Sequence, residues 1–258
     1  ELEKALFFMK DGRPGPVLLD IPFNVQSAEI EPATLKGFIN SDEYKEIVKN
    51  RLDAPLDIKE LSLLLKKSKA PIVLFGNGIR ISKTGDKLKN FLKRNNLPSV
   101  SSLLGLGEVS FEQDGYLGFI GTYGERIANI ILANADLIIV LGSRLDMRQT
   151  GNPSLFANKT KIFHVDIDVF SKKDAFADYL FVNSDLNNFF NSVDSVETPV
   201  KTKWVDFIKS VKDNFKDEYL EEPGYCSPNL FFEFFSKLAP ANSVITADVG
   251  QKIGRAHV

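Results

Sequence analysis

Four short loops of this sequence combine glycines with arginines and aspartates. They are Gly76-Asn77-Gly78, Gly121-Thr122-Tyr123-Gly124, Gly142-Ser143-Arg144-Leu145-Asp146-Met147-Arg148 and Asp166-Ile167-Asp168. Glycines let a backbone approach a phosphate closely, and the N-terminus of a following helix offers free N–H donors. Arg144 and Arg148 could neutralise a pyrophosphate or stack on a ring, and Asp166 could accept hydrogen bonds from ribose hydroxyls or an adenine amine. Together the loops predict a nucleotide site.

Three of these loops, and the nearby His164, also have ordinary structural explanations. A Gly-x-Gly after a strand is more often a plain turn than a ligand loop, and an Arg-x-Asp-x-Arg stretch can be an exposed ion-pair cluster that contributes little. The Asp-x-Asp pair can cap the next helix, and His164, inside an apolar run, is typical of a structural histidine. The order of the loops along the chain favours the nucleotide site over these separate explanations.

Composition excludes several classes of function. The 258 residues carry a net charge of -2, which gives no reason to expect nucleic acid or an anionic membrane as a partner. The single cysteine, Cys226, excludes a disulfide framework and a thiolate metal cluster, and it fits a reducing, cytoplasmic location. His164 and His257 are the only histidines, which leaves little room for histidine-based metal or acid–base chemistry. No apolar run is long enough to span a bilayer.

The elements that must position the loops alternate between helices and buried strands. Strands are predicted at 71–75, 97–102, 136–141, 161–165 and 179–182, with helices at 57–67, 84–95 and 124–134. Strands separated by helices form βαβ units, which predict an α/β fold with a doubly wound, mostly parallel sheet. Ligands of such sheets bind at the carboxyl ends of the strands, near the switch in strand order.

The chain flanking this alternation is less regular. A helix over 2–10 precedes the turn Gly12-Arg13-Pro14-Gly15-Pro16, whose prolines and glycines define its exit angle. The apolar run 17–19, followed by Ile21, then predicts a strand over 17–21 that is buried on both faces of a parallel sheet. Helices are predicted at 41–51, after Asp185, at 204–219 and at 227–238, and a last short strand at 243–247.

In order and approximate spacing, the motifs resemble those of thiamine-diphosphate (ThDP) enzymes of the acetolactate synthase group. The matching segments are 12–26, 76–78, 101–107, 121–124, 142–151, 164–168 and 247–251. The resemblance implies the end of a pyrimidine-binding domain at 1–28, a linker at 29–57, a Rossmann-like central FAD or nucleotide-binding domain at 58–190, a linker at 191–203 and the beginning of a pyrophosphate-binding domain at 204–252. We therefore expect an internal fragment, with 253–258 a non-native tail of the kind that sequencing-adapter read-through encodes.

The resemblance also implies a set of cofactor-binding residues. In that family the central domain binds FAD in a structural, non-redox role, and relatives hold ADP or nothing there. The matching positions are Arg13, Gly76, Gly78, Ser102, Leu103, Gly121, the stretch 123–144 with Tyr123, Gly124, Gly142, Ser143 and Arg144, then Asp146, Arg148 and the stretch 166–185 with Asp166, Asp168 and Asp185. Gly250 and Gln251 match the first contact to the ThDP diphosphate. Tyr123 stands where the biosynthetic enzymes usually have histidine.

The activity implied is that of a ThDP- and Mg²⁺-dependent transferase or lyase. The full-length parent would decarboxylate a 2-keto acid and ligate the product, as in the formation of 2-acetolactate from pyruvate for branched-chain amino acid biosynthesis, and it would form a homodimer or homotetramer. The family's catalytic glutamate would lie upstream and its Mg²⁺ motif downstream, so the fragment is expected to be inactive and to contain neither catalytic nor metal-binding residues. The parent could instead be an oxalyl-CoA or benzoylformate decarboxylase type of ThDP lyase. A further alternative is a non-catalytic nucleotide-binding module, related to the sheet of NAD-binding deacetylases, although one cysteine argues against their four-cysteine zinc site.

Overall fold

The computed structural model describes residues 1–49, 56–156, 160–172, 176, 178–215, 227–240 and 242–246, to which all structural statements below refer. The strands are β1 (Pro71–Phe75), β2 (Ser99–Ser101), β3 (Tyr116–Phe119), β4 (Leu137–Leu141), β5 (Lys161–Asp166) and β6 (Tyr179–Asn183). The helices are α1 (Leu2–Phe8), α2 (Phe23–Gln26), α3 (Asp42–Lys49), α4 (Lys59–Lys67), α5 (Gly78–Ile81), α6 (Gly85–Asn95), α7 (Arg126–Ala133), α8 (Met147–Thr150), α9 (Pro153–Phe156), α10 (Leu186–Ser192), α11 (Thr202–Asn214) and α12 (Pro228–Leu238). Short 3-10 turns cover Pro32–Thr34, Phe38–Asn40, Leu103–Gly105 and Val169–Ser171.

The six strands form one sheet in the order β3-β2-β1-β4-β5-β6, and every neighbouring pair is parallel. This confirms the predicted doubly wound α/β fold. β1 and β4 lie at the centre in register, from Pro71 opposite Leu137 to Phe75 opposite Leu141. Both are continuous apolar runs, as expected of strands covered on both faces. The strand order reverses between them, which creates the crevice where such sheets bind ligands.

Two hydrophobic layers cover the faces of the sheet. Alternate strand residues point to opposite faces, so Val73 and Ile139 pack with α4, α6 and α10, whereas Ile72 and Ile138 pack with α7 and α11. The helix residues of the first layer include Leu61, Leu65, Leu88, Phe91 and Phe189, and those of the second include Ala128, Ile131, Trp204, Ile208 and Val211. The sheet is therefore rigidly held, and its carboxyl-end loops start from fixed positions.

The strand β3 is a feature that the apolar pattern did not predict. It is four residues long and contains Gly118 at a φ of 95°. A Cβ at this position would lie 2.5 Å from Cγ of Glu125, so only glycine fits. Glycine within a short strand weakens the strand pattern, because it offers no side chain and often marks an irregularity. β3 forms the edge of the sheet beside β2.

The predicted strand at 17–21 is wrong for this structure. The segment has no strand pairing and its side chains are exposed, with Leu18 93% accessible. An apolar run becomes a strand only where another strand pairs with it, and in the part of the chain described here none lies beside 17–21. The strand predicted at 243–247 is likewise not formed over 243–246, and residue 247 lies outside the described residues.

The helix α11 packs on the sheet rather than standing apart from it. Trp204, Ile208 and Val211 are buried in the layer that also contains α7. The prediction that a separate domain begins at residue 204 stays a prediction. In the described residues, no helix combines the length and the apolar character needed to cross a membrane.

Tyr116 gives the fold a dependence on alkaline pH. It is buried in β3, with its hydroxyl 2.8 Å from Oγ of Ser101. Burial, which outweighs the hydrogen bond from Ser101, raises the pKa of Tyr116. An unfolded tyrosine ionises at about pH 10, so above that pH the unfolded chain releases a proton that the folded chain still holds. The contribution of Tyr116 to stability is therefore complete below about pH 10 and is lost as the pH rises further.

Urea unfolding between about pH 9 and 11 measures this effect. We expect the free energy of unfolding to fall more steeply with pH in the unsubstituted chain than in Tyr116→Phe, by up to about 1.4 kcal/mol per pH unit. The exposed Tyr123 provides the matched control, and Tyr123→Phe should keep the unsubstituted slope. Equal slopes for the chain and Tyr116→Phe would contradict the prediction.

Candidate functional site

The carboxyl edge of the sheet brings the predicted site residues of the described chain together. Because all six strands are parallel, their carboxyl ends lie at one edge. In spatial order across this edge, the residues are Gly121, Tyr123 and Gly124 after β3; Ser102 and Leu103 after β2; Gly76 and Gly78 after β1; Gly142, Ser143, Arg144, Asp146 and Arg148 after β4; Asp166 and Asp168 at the end of β5; and Asp185 after β6. Gly250 and Gln251 lie outside the described residues.

The loops after β1 and β4 touch backbone to backbone at the strand-order switch. The backbone N–H of Gly78 donates to the Gly142 carbonyl at 3.0 Å. A Cβ on Gly76 would lie 2.5 Å from that carbonyl oxygen, and a Cβ on Gly78 would lie 2.6 Å from the Cα of Gly142. The N–H of Ser102 donates to the carbonyl of Phe75 at 2.8 Å, so the loop after β2 also contacts the end of β1. The glycines thus have a structural task, which is to let three loops meet at the crevice.

The loop after β4 is held by Asp146. Its carboxylate accepts from the N–H groups of Arg148 at 2.8 Å and Gln149 at 3.3 Å, so it caps α8. The hydroxyl of Ser143 donates to the side-chain carbonyl of Gln149 at 2.9 Å. Arg144 lies 3.9 Å from Asp146 and its side chain is 61% exposed. The cap fixes the loop, while the guanidinium groups of Arg144 and Arg148 remain at the surface.

The same loop reaches back to the loop after β3. The N–H of Thr122 donates to the Arg148 carbonyl at 3.0 Å. Asn129 on α7 clamps Gly121 through both ends of its side-chain amide, accepting from the N–H at 3.0 Å and donating to the carbonyl at 3.1 Å. A cavity of about 280 Å³ lies between Gly121, α7 and residues 148–156. Tyr123 follows Thr122, which lines this cavity, and is itself 74% exposed.

Three aspartates occupy the other half of the edge. Asp166 is buried, and its Oδ1 accepts from the N–H of Asp168 at 2.9 Å. Asp168 forms an ion pair with Arg13, which lies 155 residues earlier in the chain. Arg13 belongs to the turn before the segment 17–21. Asp185 accepts from the N–H of Asn187 at 2.7 Å and caps α10. Capping explains part of the aspartate pattern, and the ion pair brings Arg13 to the site.

Two residues that support the site were not singled out by the sequence analysis. One is Asn129, described above. The other is Arg80 on α5, which donates to Glu108 at 2.8 Å, to the carbonyl of Leu106 at 2.5 Å and to that of Leu104 at 3.3 Å. Arg80 therefore braces the loop that begins with the predicted residues 102 and 103. The resemblance covers Asn129 only as an unnamed member of the stretch 123–144, and Arg80 lies outside every segment it matches.

The side chains at this edge offer the kinds of group that a nucleotide site needs. The exposed arginines Arg144 and Arg148 supply positive charge for phosphates near the glycine loops, and the carboxylate of Asp166 supplies an acceptor for hydroxyl or amine groups. Tyr123 and Phe170, the latter 90% exposed, are aromatic faces on which a ring could stack. Among the described residues, no group of three or more histidines, cysteines, aspartates or glutamates could hold a metal ion.

Comparisons with known proteins agree with this architecture. The family model described as thiamine pyrophosphate enzyme, central domain, matches residues 58–192. The acetolactate synthase large subunit of Lactococcus lactis is 31% identical over 251 residues, which are 96% of this chain and 43% of that protein. The isozyme 2 large subunit of Escherichia coli is 29% identical over 93% of this chain and 42% of its own length.

A third relative comes from an archaeon. The probable acetolactate synthase large subunit of Methanocaldococcus jannaschii is 30% identical over 254 residues, which are 93% of this chain and 42% of that protein. The chain thus spans less than half the length of the curated relatives that it matches. The similarity also extends beyond 58–192 and into the segments on both sides.

Proposed function

Because this chain belongs to the thiamine pyrophosphate enzymes through its central domain, we propose that it works as part of a ThDP-dependent 2-keto acid decarboxylase and carboligase of the acetolactate synthase type. The observation that carries the proposal is the similarity to acetolactate synthase large subunits, which covers 93–96% of the chain rather than the central domain alone. The substrate would be a small 2-keto acid such as pyruvate, the pathway branched-chain amino acid biosynthesis, and the location cytoplasmic. The assembly would be a homodimer or homotetramer.

In this proposal ThDP, with Mg²⁺, supplies the decarboxylation and the formation of the new carbon–carbon bond. The described residues of this chain are assigned to a different task, which is to bind FAD or, alternatively, ADP along the carboxyl edge of the sheet. Arg13, Arg144 and Arg148 would face the phosphates and Asp166 the adenosine part. Support comes from the glycine loops that meet at the strand-order switch and from the exposed guanidinium groups beside them.

Flavin fluorescence tests the ligand. Titration of the 258-residue chain with FAD should quench the flavin emission with a dissociation constant in the micromolar range or below. Arg148→Ala removes a charge-assisted contact, so we expect its FAD affinity to fall about tenfold or more. Arg94, which pairs with Asp194 at the opposite end of the sheet, provides the matched control, and Arg94→Ala should bind FAD like the unsubstituted chain.

The outcomes of this titration separate the alternatives. If the chain binds ADP but not FAD, the ligand of the site is the smaller nucleotide ADP. Absence of both at high micromolar concentration would refute the nucleotide site. Equal losses in Arg148→Ala and Arg94→Ala would show that the effect is general and would remove Arg148 from the site.

The activity requires a separate assay on the intact protein that contains this chain. With pyruvate, ThDP and Mg²⁺, we expect acetolactate and carbon dioxide. Release of carbon dioxide from oxalyl-CoA or benzoylformate, without acetolactate from pyruvate, would instead assign the protein to another type of ThDP lyase. The nucleotide titration and this assay are independent, so either part of the proposal can fail alone.

A further inference from the structure

His164 lies on β5, the strand next to the β6 edge of the sheet, immediately before the aspartates of the site. It stands on β5 between Val140 of β4 and Phe181 of β6, and its side chain has no exposed surface. Its ring meets that of Phe181 edge-on, with the centroids 5.2 Å apart. A polar ring that is buried in this way costs free energy unless its nitrogens find partners. The partners of the two nitrogens are therefore informative.

The two nitrogens of His164 have different surroundings. Nδ1 lies 2.6 Å from the hydroxyl oxygen of Tyr179, which is a short hydrogen bond. Nε2 is, among the described residues, a buried side-chain atom without a hydrogen-bond partner. It points to the carboxylate of Asp166, whose Oδ2 is 3.8 Å away. A small rotation of either side chain would convert this approach into a hydrogen bond.

The position of the ring proton follows from these neighbours. If the Tyr179 hydroxyl donates to Nδ1, the neutral ring carries its proton on Nε2 and presents an N–H to Asp166. In the opposite tautomer, a lone pair on Nε2 would face the carboxylate, which is repulsive. The carboxylate therefore favours the first arrangement, and Tyr179 supplies the donor that this arrangement needs.

Asp166 is then held from two directions. Its Oδ1 already accepts from the N–H of Asp168 at 2.9 Å, and Nε2–H of His164 would hold Oδ2. With both oxygens fixed, the carboxylate cannot rotate, and its remaining lone pairs keep one direction. An acceptor that is fixed in advance loses little entropy when a ligand donates to it.

We propose that Tyr179 and His164 are positioning residues, which fix the ring tautomer and through it orient the Asp166 carboxylate as an acceptor for a hydroxyl or amine donor of the adenosine part of a bound nucleotide. The proposal rests on the nucleotide site of the proposed function. It adds a relay from the partly buried Tyr179 through the buried His164 to Asp166, in which Tyr179 and His164 orient the acceptor without touching the ligand.

Nitrogen NMR of the histidine rings tests the relay without any ligand. The chain has two histidines, so labelling the full chain with ¹⁵N-histidine gives two sets of signals, and His257→Gln identifies those of His164. At neutral pH we expect Nε2 of His164 to carry the proton and Nδ1 to be bare. Tyr179→Phe should shift the population towards the Nδ1–H tautomer. A predominant Nδ1–H tautomer or a doubly protonated ring in the unsubstituted chain would overturn the relay.

Calorimetric titration with ADP tests the effect on binding. His164→Phe keeps the ring volume but loses the donor, and we expect it to lower ADP affinity about tenfold. His164→Gln, which restores an N–H donor, should recover part of the loss. Phe181→Leu alters the same packing without a polar change and serves as the control. ADP affinity that is equal in His164→Phe and in the unsubstituted chain, both folded, would overturn the positioning role.

A comparison of ADP with inosine diphosphate, which lacks the adenine amine, and with 2′-deoxy-ADP, which lacks the ribose 2′-hydroxyl, shows from which of these groups Asp166 accepts a hydrogen bond. The analogue that lacks this donor should bind equally well to His164→Phe and to the unsubstituted chain. If the unsubstituted chain binds neither FAD nor ADP, the nucleotide part of the proposed function fails and the ligand part of this inference falls with it. The NMR result would still decide whether His164 orients Asp166, so the two failures are distinguishable.

Discussion

Gly78→Ala is expected to disrupt the site and to destabilise the chain. Alanine is the better helix former, so at the first residue of α5 it would by itself stabilise the helix. Its Cβ, however, would lie 2.6 Å from the Cα and 2.9 Å from the carbonyl oxygen of Gly142. Both loops start from the central strands β1 and β4, which pair over their whole length and cannot move apart. The steric cost should therefore exceed the gain in helix propensity.

The expected loss in free energy of unfolding is about 3 kcal/mol, which corresponds to a fall in Tm of about 6–12 °C for a domain of this size. Nucleotide affinity of the folded variant should fall at least about tenfold, because the two loops separate where the ligand binds. Thermal unfolding by circular dichroism and FAD titration below the transition measure the two effects.

Gly15→Ala is the matched control for this substitution. Gly15 has no positive φ, and a Cβ there would meet nothing within 4 Å. Its substitution should leave stability within about 0.5 kcal/mol of the unsubstituted chain. If Gly78→Ala retained both the stability and the FAD affinity of Gly15→Ala, the close approach of the two loops would be wrong.

The second large effect is expected from Trp204→Ala. Trp204 is 5% exposed, packs against the second hydrophobic layer and donates from its indole N–H to the carbonyl of Pro71 at 3.0 Å. Truncation leaves a large cavity under α11 and removes this hydrogen bond at the start of β1. We expect a loss of about 3–5 kcal/mol in free energy of unfolding, measured by urea denaturation.

Phe207 supplies the comparison on the same helix. Its ring stacks on that of Trp204 with the centroids 5.5 Å apart, but its side chain is 37% exposed. Phe207→Ala should therefore cost only about 1 kcal/mol. As Trp204 is the single tryptophan of the chain, its emission in the unsubstituted protein also reports whether α11 leaves the sheet together with global unfolding. A loss below about 1 kcal/mol in Trp204→Ala would contradict the packing of α11 on the sheet.

Long apolar strands and amphipathic helices were predictable because their patterns are local. The run at 71–75 is bounded by turn residues and was predicted with its observed limits. The four-residue β3 was missed because Gly118 interrupts its pattern. The run at 17–21 was assigned to a strand although nothing in the described structure pairs with it, since pairing is a property of the neighbours and not of the segment.

The site shows the same division. The glycine loops and the aspartates were found because their residue types match a binding chemistry and each follows a strand. Their close contacts, such as Gly78 against Gly142 and Arg13 with Asp168, join residues that are far apart in sequence. Asn129 and Arg80 support the loops through such contacts, and these roles could be found only in the folded chain.

The α/β alternation, the parallel sheet and the loops that end its strands follow from local sequence patterns, because hydrophobic periodicity and turn residues act over a few positions. Which loops touch could be seen only in the folded chain, as could the helix caps of Asp146 and Asp185. The same holds for the position of His164 against Asp166, where its Nε2 has no hydrogen-bond partner among the described residues. Strand order and side-chain partners depend on long-range packing. The residues that packing brings into contact are far apart in the chain, so no local sequence pattern predicts the contact.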